Sequence, residues 1–211
     1  DYQITFNNNF ILYLIGIFYN FFIPGGFGGD AYKFYLMKKN YEWDFKKLFK
    51  ILVFDRLIGL GALVCILFFM IQNFILNLNL IYIIISLLLT LILGYYIVKY
   101  VFNNQHIYFK SLGISVINQF LQFLTIFFVI LSLGIENNFV EIIVVFICSS
   151  ILSVFSIGGI GIREYIFLIS ASFINVSPEL SASVGLLFTF SASFSTIPGL
   201  TYLINKPNFL K

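Results

Sequence analysis

Of 211 residues, 60% are hydrophobic and only 10% are charged, where an ordinary soluble domain carries about 25% charged residues. Such a chain cannot hide its apolar surface from water, and it reads as an all-α, polytopic transmembrane helix bundle. The formal net charge is +3, but the basic residues are few and border apolar runs. Anionic lipid head groups, not nucleic acid, are therefore the expected neighbours. Cys65 and Cys148 fall inside apolar runs and read as small buried hydrophobes, not as a disulfide or a metal pair. The chain opens on Asp1 and reaches an apolar run almost at once. The expectation is a single transmembrane domain over residues 1–211, a fragment lacking N-terminal spans.

Taken in chain order, the apolar runs are 6–23, 51–71, 80–101, 112–133, 139–156 and 181–204. A membrane-crossing helix needs about 17–25 apolar residues, and the absence of period-two alternation argues against barrel strands. Residues 161–176 are apolar but short, and read as a half-helix or a tilted crossing, with the crossing preferred. Lys33, Lys38, Lys39, Lys46, Lys47 and Lys50 follow the first run, which predicts a cytoplasmic segment because translocated loops lose Lys and Arg. Tyr41 and Trp43 would anchor it at the interface. Counting onward, 72–79 is external and uncharged, 102–110 is internal beside Lys99 and Lys110, and 134–138 is external with only Glu136. If 161–176 crosses, Arg163 and the tail with Lys206 and Lys211 return inside, so all twelve basic residues lie on one side.

Two glycine clusters interrupt these runs. The first includes Gly25, Gly26, Gly28 and Gly29, followed by Asp30 and Lys33; the second includes Gly158, Gly159 and Gly161, followed by Arg163 and Glu164. They align at an offset of 133 residues, and the flanking apolar runs align with them. An internal repeat with interrupted helices at corresponding positions is the pattern of many transporters, whose substrate sites lie between repeats. Clustered glycines let the backbone leave the helix, leaving amides that only protein or water can satisfy inside a bilayer. On one reading each break starts a helix whose N-terminal amides hold a phosphate beside Lys33 or Arg163. On the other, the glycines permit close helix packing and Asp30 caps a helix starting at Ala31. The capping role is the expectation for Asp30, because its carboxylate would compete with a bound anion.

Ionisable groups within apolar runs are expensive and point to a site or a pair. Asp55 and Arg56 lie about one turn into a run, and Arg163 and Glu164 lie at a comparable depth. One reading gathers these four residues into a charge cluster lining a polar cavity; the other lets both arginines snorkel to the interface. His106 has no second His or Cys placed to complete a metal site, and Ser181, Ser183, Ser191, Ser193 and Ser195 read as small residues for helix packing. No nucleophile with its base is recognisable, and neither a metal nor a cofactor is expected.

The order of these motifs resembles the lysylphosphatidylglycerol synthase transmembrane region, a flippase-like integral membrane family, over most of the chain. The resemblance rests on Asn20 with Pro24-Gly25, Gly28-Gly29-Asp30 and Lys33. It continues in Asp55-Arg56 with Gly59, in Gly159, Gly161, Arg163 and Glu164, and in Pro198-Gly199. It implies movement of an anionic phospholipid or a polyprenyl-phosphate glycolipid between leaflets of the cell membrane, or support of a cell-envelope enzyme that modifies such lipids. In synthases of this family a separate soluble domain performs aminoacyl transfer. The expected role is thus a flippase-like module, the alternatives being a lipid-modifying transferase and a non-catalytic scaffold.

Overall fold

The computed structural model of the chain describes residues 4–23, 26–41, 44–71, 80–102, 105–153 and 156–205. These are helical almost throughout: α1 Phe6–Phe22, α2 Gly28–Tyr41, α3 Phe45–Met70, α4 Leu80–Ile97, α5 Gln105–Ser132, α6 Phe139–Leu152, α7 Ile162–Ile169, α8 Ala171–Ile174 and α9 Pro178–Asn205. A π-helical turn, Val98–Phe102, extends α4. Among the described residues, Leu48–Met70, Tyr108–Ser132 and Pro178–Asn205 are each long and apolar enough to cross a membrane. Their outer faces suit lipid: Ile114, Ile117, Phe120, Leu124 and Phe128 of α5 are each more than 40% exposed. The inner face of that helix follows the 3.6-residue period, with Gln119, Ile126 and Ile130 buried.

Apart from α4, the remaining helices are arms of two hairpins. Helix α2 folds back antiparallel along α1. Gly29 meets Gly16, Lys33 lies over the Tyr13 ring at 5.5 Å, and Leu36 and Met37 pack with Leu12. The close approach depends on two glycines, since a methyl group on Gly29 would overlap the Gly16 carbonyl. Helices α6 and α7–α8 form the second hairpin, closed at its open end by Asn138, whose Nδ2 donates to the Ile174 carbonyl at 2.7 Å. At about 1.5 Å per residue, the arms of this hairpin reach only about 20 Å, short of the roughly 30 Å hydrocarbon core. Helices α7 and α8 are therefore the return arm of a hairpin, not a crossing, with α6 the entering arm; α1 and α2 pair in the same way by packing. An apolar run read from sequence as a crossing gives no sign of the chain turning back. Only the packing shows it.

The hairpins enter from opposite ends of the bundle. Leu48, near the start of α3, packs with Leu36 and Met37 towards the open end of the first hairpin, whereas Leu63 and Met70 pack with Ile142 and Ile174 of the second. Helix α9 runs the complementary course. Ser181 donates to the Phe167 carbonyl at 2.6 Å, and further along Gly199 lies against the Leu14 carbonyl of α1. Both bends converge on the last turn of α1: a Cβ on Gly158 would stand 2.9 Å from the Phe21 carbonyl, and one on Gly26 would stand 3.9 Å from that of Asn20. The element boundaries repeat at the offset of 133 residues, Phe6 falling on Phe139, Tyr41 on Ile174 and Phe45 on Pro178. The two halves are thus inverted copies of one unit of hairpin plus long helix, with α4 and α5 between them. Because a hairpin returns to the end it entered from, the start of α9 lies at the same end of the bundle as the start of α6. Arg56 and Arg163 both stand at hairpin tips inside the bundle.

Candidate functional site

At the first tip, Asp30 lies in the first turn of α2, which begins at Gly28, so it is not the cap of a helix starting at Ala31. Its carboxylate instead receives Arg56 Nε at 2.5 Å and has Lys33 Nζ at 3.9 Å. Arg56 also donates to the Gly26 carbonyl and stacks on Phe27, the guanidinium carbon 4.4 Å from the ring centroid. The Asn20 carboxamide does the capping, with its Oδ1 accepting from the Gly29 N–H at 2.8 Å. Gly25 lies outside the described residues. The side chains of Asp30 and Arg56 are 15% and 29% exposed, so this is a partly buried, hydrogen-bonded pair that ties α2 to α3. We expect Asp30→Asn to lower stability by about 2 kcal/mol, because it leaves the guanidinium largely desolvated without its carboxylate. Thermal unfolding in detergent checks this, and Arg56→Met added to Asp30→Asn should recover part of the loss.

At the second tip the corresponding interaction carries a different charge. Gly158, Gly159 and Gly161 hold φ of +60°, +89° and +83°, a region that side chains other than glycine resist, and the chain turns there into α7. The offset of 133 residues puts Arg163 where Asp30 stands in the first half, and Thr189 where Arg56 stands. Arg163 Nη1 donates to Thr189 Oγ1 at 3.0 Å, and its guanidinium carbon lies 4.7 Å from the Phe188 ring centroid. Gly159 leaves room for it, since a Cβ there would stand 2.9 Å from Nη1. Arg163 is only 6% exposed, has no ion pair among the described residues, and its Nε has no hydrogen-bond partner. A buried guanidinium without an ion pair is costly to enclose, and its orphaned Nε is an unused donor.

The four-residue cluster expected across the repeats is not assembled as one network. Arg56 turns to Asp30, and Arg163 turns to Thr189. Glu164 accepts the Gly161 N–H at 2.6 Å, capping its own helix, while Asp55 is exposed and makes no ion pair among the described residues. The helix-start amides of Gly29 and Gly161 are therefore bonded to side chains of the protein itself, which leaves the phosphate-cradling role of the glycines unsupported. Thr189 and Phe188, which hold Arg163, were not legible as site residues in the sequence. Thr189 had one available signal, its position opposite Arg56 in the repeat. Elsewhere α3, α4 and α5 line an open apolar pocket of about 320 Å³ beside Cys65, Phe69 and Val116. Its walls suit a hydrocarbon, not a head group. Among the described residues no three His, Cys, Asp or Glu side chains gather into a metal-binding group.

Long lipid-facing helices around two opposed hairpins, with charged side chains enclosed at the hairpin tips, define a polytopic integral membrane protein. The model of the lysylphosphatidylglycerol synthase TM region matches residues 1–112 and 99–199. The chain belongs to that family, and it is an integral membrane protein of lipid metabolism or transport. No curated protein and no solved structure matches it.

Proposed function

We propose that the protein passes the head group of an anionic phospholipid, or of a polyprenyl-phosphate glycolipid, between leaflets through the space at the two hairpin tips. The observation that supports this reading is the burial of Arg163 without an ion pair among the described residues. A bundle that encloses a lone cation at such cost has a use for an anion there. The opposed hairpins supply the second element: a site reached between inverted repeats can be offered to either face by rocking one unit against the other. On this reading Lys38, Lys39, Lys46 and Lys50 face the cytoplasm and the cell membrane is the host bilayer. The Asp30–Arg56 pair positions α2 on α3 instead of binding the lipid.

The test is leaflet-resolved accessibility of a fluorescent anionic phospholipid in vesicles carrying the intact protein. We expect equilibration between leaflets on a timescale far shorter than in protein-free vesicles. Rates no faster than in protein-free vesicles, for anionic phospholipids and polyprenyl phosphates alike, would overturn the reading in favour of a scaffold for an envelope enzyme.

A further inference from the structure

Three buried polar side-chain atoms lack a hydrogen-bond partner among the described residues: Gln119 Oε1, Ser150 Oγ and Arg163 Nε. Buried polar groups are nearly always paired, so each orphan needs an explanation. The Ser150 case is unusual for this chain, because the neighbouring hydroxyls of Ser149 and Ser153, like those of Ser191 and Ser193 in α9, all close on a backbone carbonyl.

The helix register puts the three at one level. Phe123 of α5 meets Phe146 of α6 at 6.3 Å between ring centroids, Phe146 meets Phe188 of α9 at 4.5 Å, and Phe188 carries Arg163 at 4.7 Å. Helices α5 and α6 are antiparallel, joined by residues 133–138. Gln119 lies one turn beyond Phe123 and Ser150 one turn beyond Phe146, each on the same helix face and both away from the joining loop. Counted inward from the Asn138–Ile174 bond that pairs the ends of α6 and α8, Ser149 and Ser150 fall level with Ile162 and Arg163. Gln119, Ser150 and Arg163 thus fall near one level of α5, α6 and α7, beside the aromatic contacts.

We infer that Gln119 and Ser150 complete the Arg163 site and select phosphodiesters whose head group carries a hydrogen-bond donor. The chemistry is complementary in each part. The guanidinium N–H takes the anionic oxygen, the Gln119 carbonyl oxygen can only accept, and the Ser150 hydroxyl serves either role. A head group with an O–H or N–H beside its phosphate satisfies all three, whereas one lacking a donor leaves Gln119 Oε1 buried and unpaired. This inference rests on the lipid reading above, but it concerns binding, which is measured separately from translocation.

The experiment is competition binding by the intact protein in detergent, against a fluorescent anionic phospholipid. The competitors are phosphatidylglycerol and phosphatidylmethanol, both monoanionic phosphodiesters, of which only the first carries hydroxyl donors, and free glycerol 3-phosphate. We expect the parent to prefer phosphatidylglycerol by about tenfold, the equivalent of about 1.4 kcal/mol. In Gln119→Leu that ratio should fall to about one, Ser150→Ala should reduce it in part, and Arg163→Ala should weaken both lipids together. No preference in the parent, or a preference preserved in both Gln119→Leu and Ser150→Ala, overturns the inference. Competition by glycerol 3-phosphate as strong as by the lipid overturns the lipid assignment in favour of a soluble phosphate ester. If Gln119→Leu does not fold, Ser150→Ala and Gln119→Met carry the same reading. A retained head-group preference without translocation would defeat the flippase reading alone.

Discussion

Arg163→Met is expected to lower the affinity for an anionic phospholipid by about 30-fold or more while leaving the melting temperature unchanged or higher. The two effects have opposite signs because of where the guanidinium sits. It is 6% exposed with no carboxylate partner among the described residues, held by one hydroxyl and one aromatic face. Enclosing a charge there costs more than those contacts return, so a flexible apolar side chain of similar length should relieve the bundle. An anion bound there loses a desolvated charge-assisted contact, and truncating such contacts typically costs about 2–5 kcal/mol. Thr189 keeps its own bond to the Gly185 carbonyl in either case, so the local helix packing survives. Binding titration together with thermal unfolding in detergent separates the roles. A marked fall in melting temperature with unchanged affinity would mean that Arg163 is structural.

Gly29→Ala is expected to destabilise the fold by about 3 kcal/mol or more. The added methyl would overlap the carbonyl of Gly16 across the α1–α2 contact, and because the obstacle is backbone it cannot rotate away. The hairpin must open or α2 must slide, and overpacking of this kind costs about 1–3 kcal/mol even where side chains can give. Gly59→Ala and Gly113→Ala supply the contrast. A Cβ at either position meets nothing within 4 Å, and inside a helix alanine is favoured over glycine by up to about 1 kcal/mol. Those two variants should match or exceed the parent in thermal unfolding, while Gly29→Ala falls well below it. Equal behaviour of all three would contradict the hairpin geometry.

The residue types at the site were legible in the sequence because they break local rules: Asp55, Arg56, Arg163 and Glu164 interrupt apolar runs, and glycines cluster where helices should continue. The repeat was legible from the same glycines, and its element boundaries hold at the same offset. The pairing was not. Asp30 reads locally as a cap, and only the fold brings Arg56 of α3 to it across 26 residues. The turning back of 6–23 and 139–156 was equally hidden, since hydropathy reports burial in lipid and is silent on direction. Gln119 looked like one polar residue in a spanning run. Its meaning depends on which face of α5 is covered, and that is decided by α6 and α9.

The opposed hairpins are tested most directly by side-specific thiol labelling in sealed vesicles, with Cys65→Ala and Cys148→Ala as background. Single cysteines are placed at Thr5, Lys46 and Ser177, all of which are exposed, and labelled with a membrane-impermeant maleimide. Thr5→Cys and Lys46→Cys should react from the same side and Ser177→Cys from the other, because α1 and α2 return to the end they entered from. Reaction of Thr5→Cys and Lys46→Cys from opposite sides would show that the first run crosses the bilayer, and would contradict the paired-hairpin architecture on which the site at Arg163 depends.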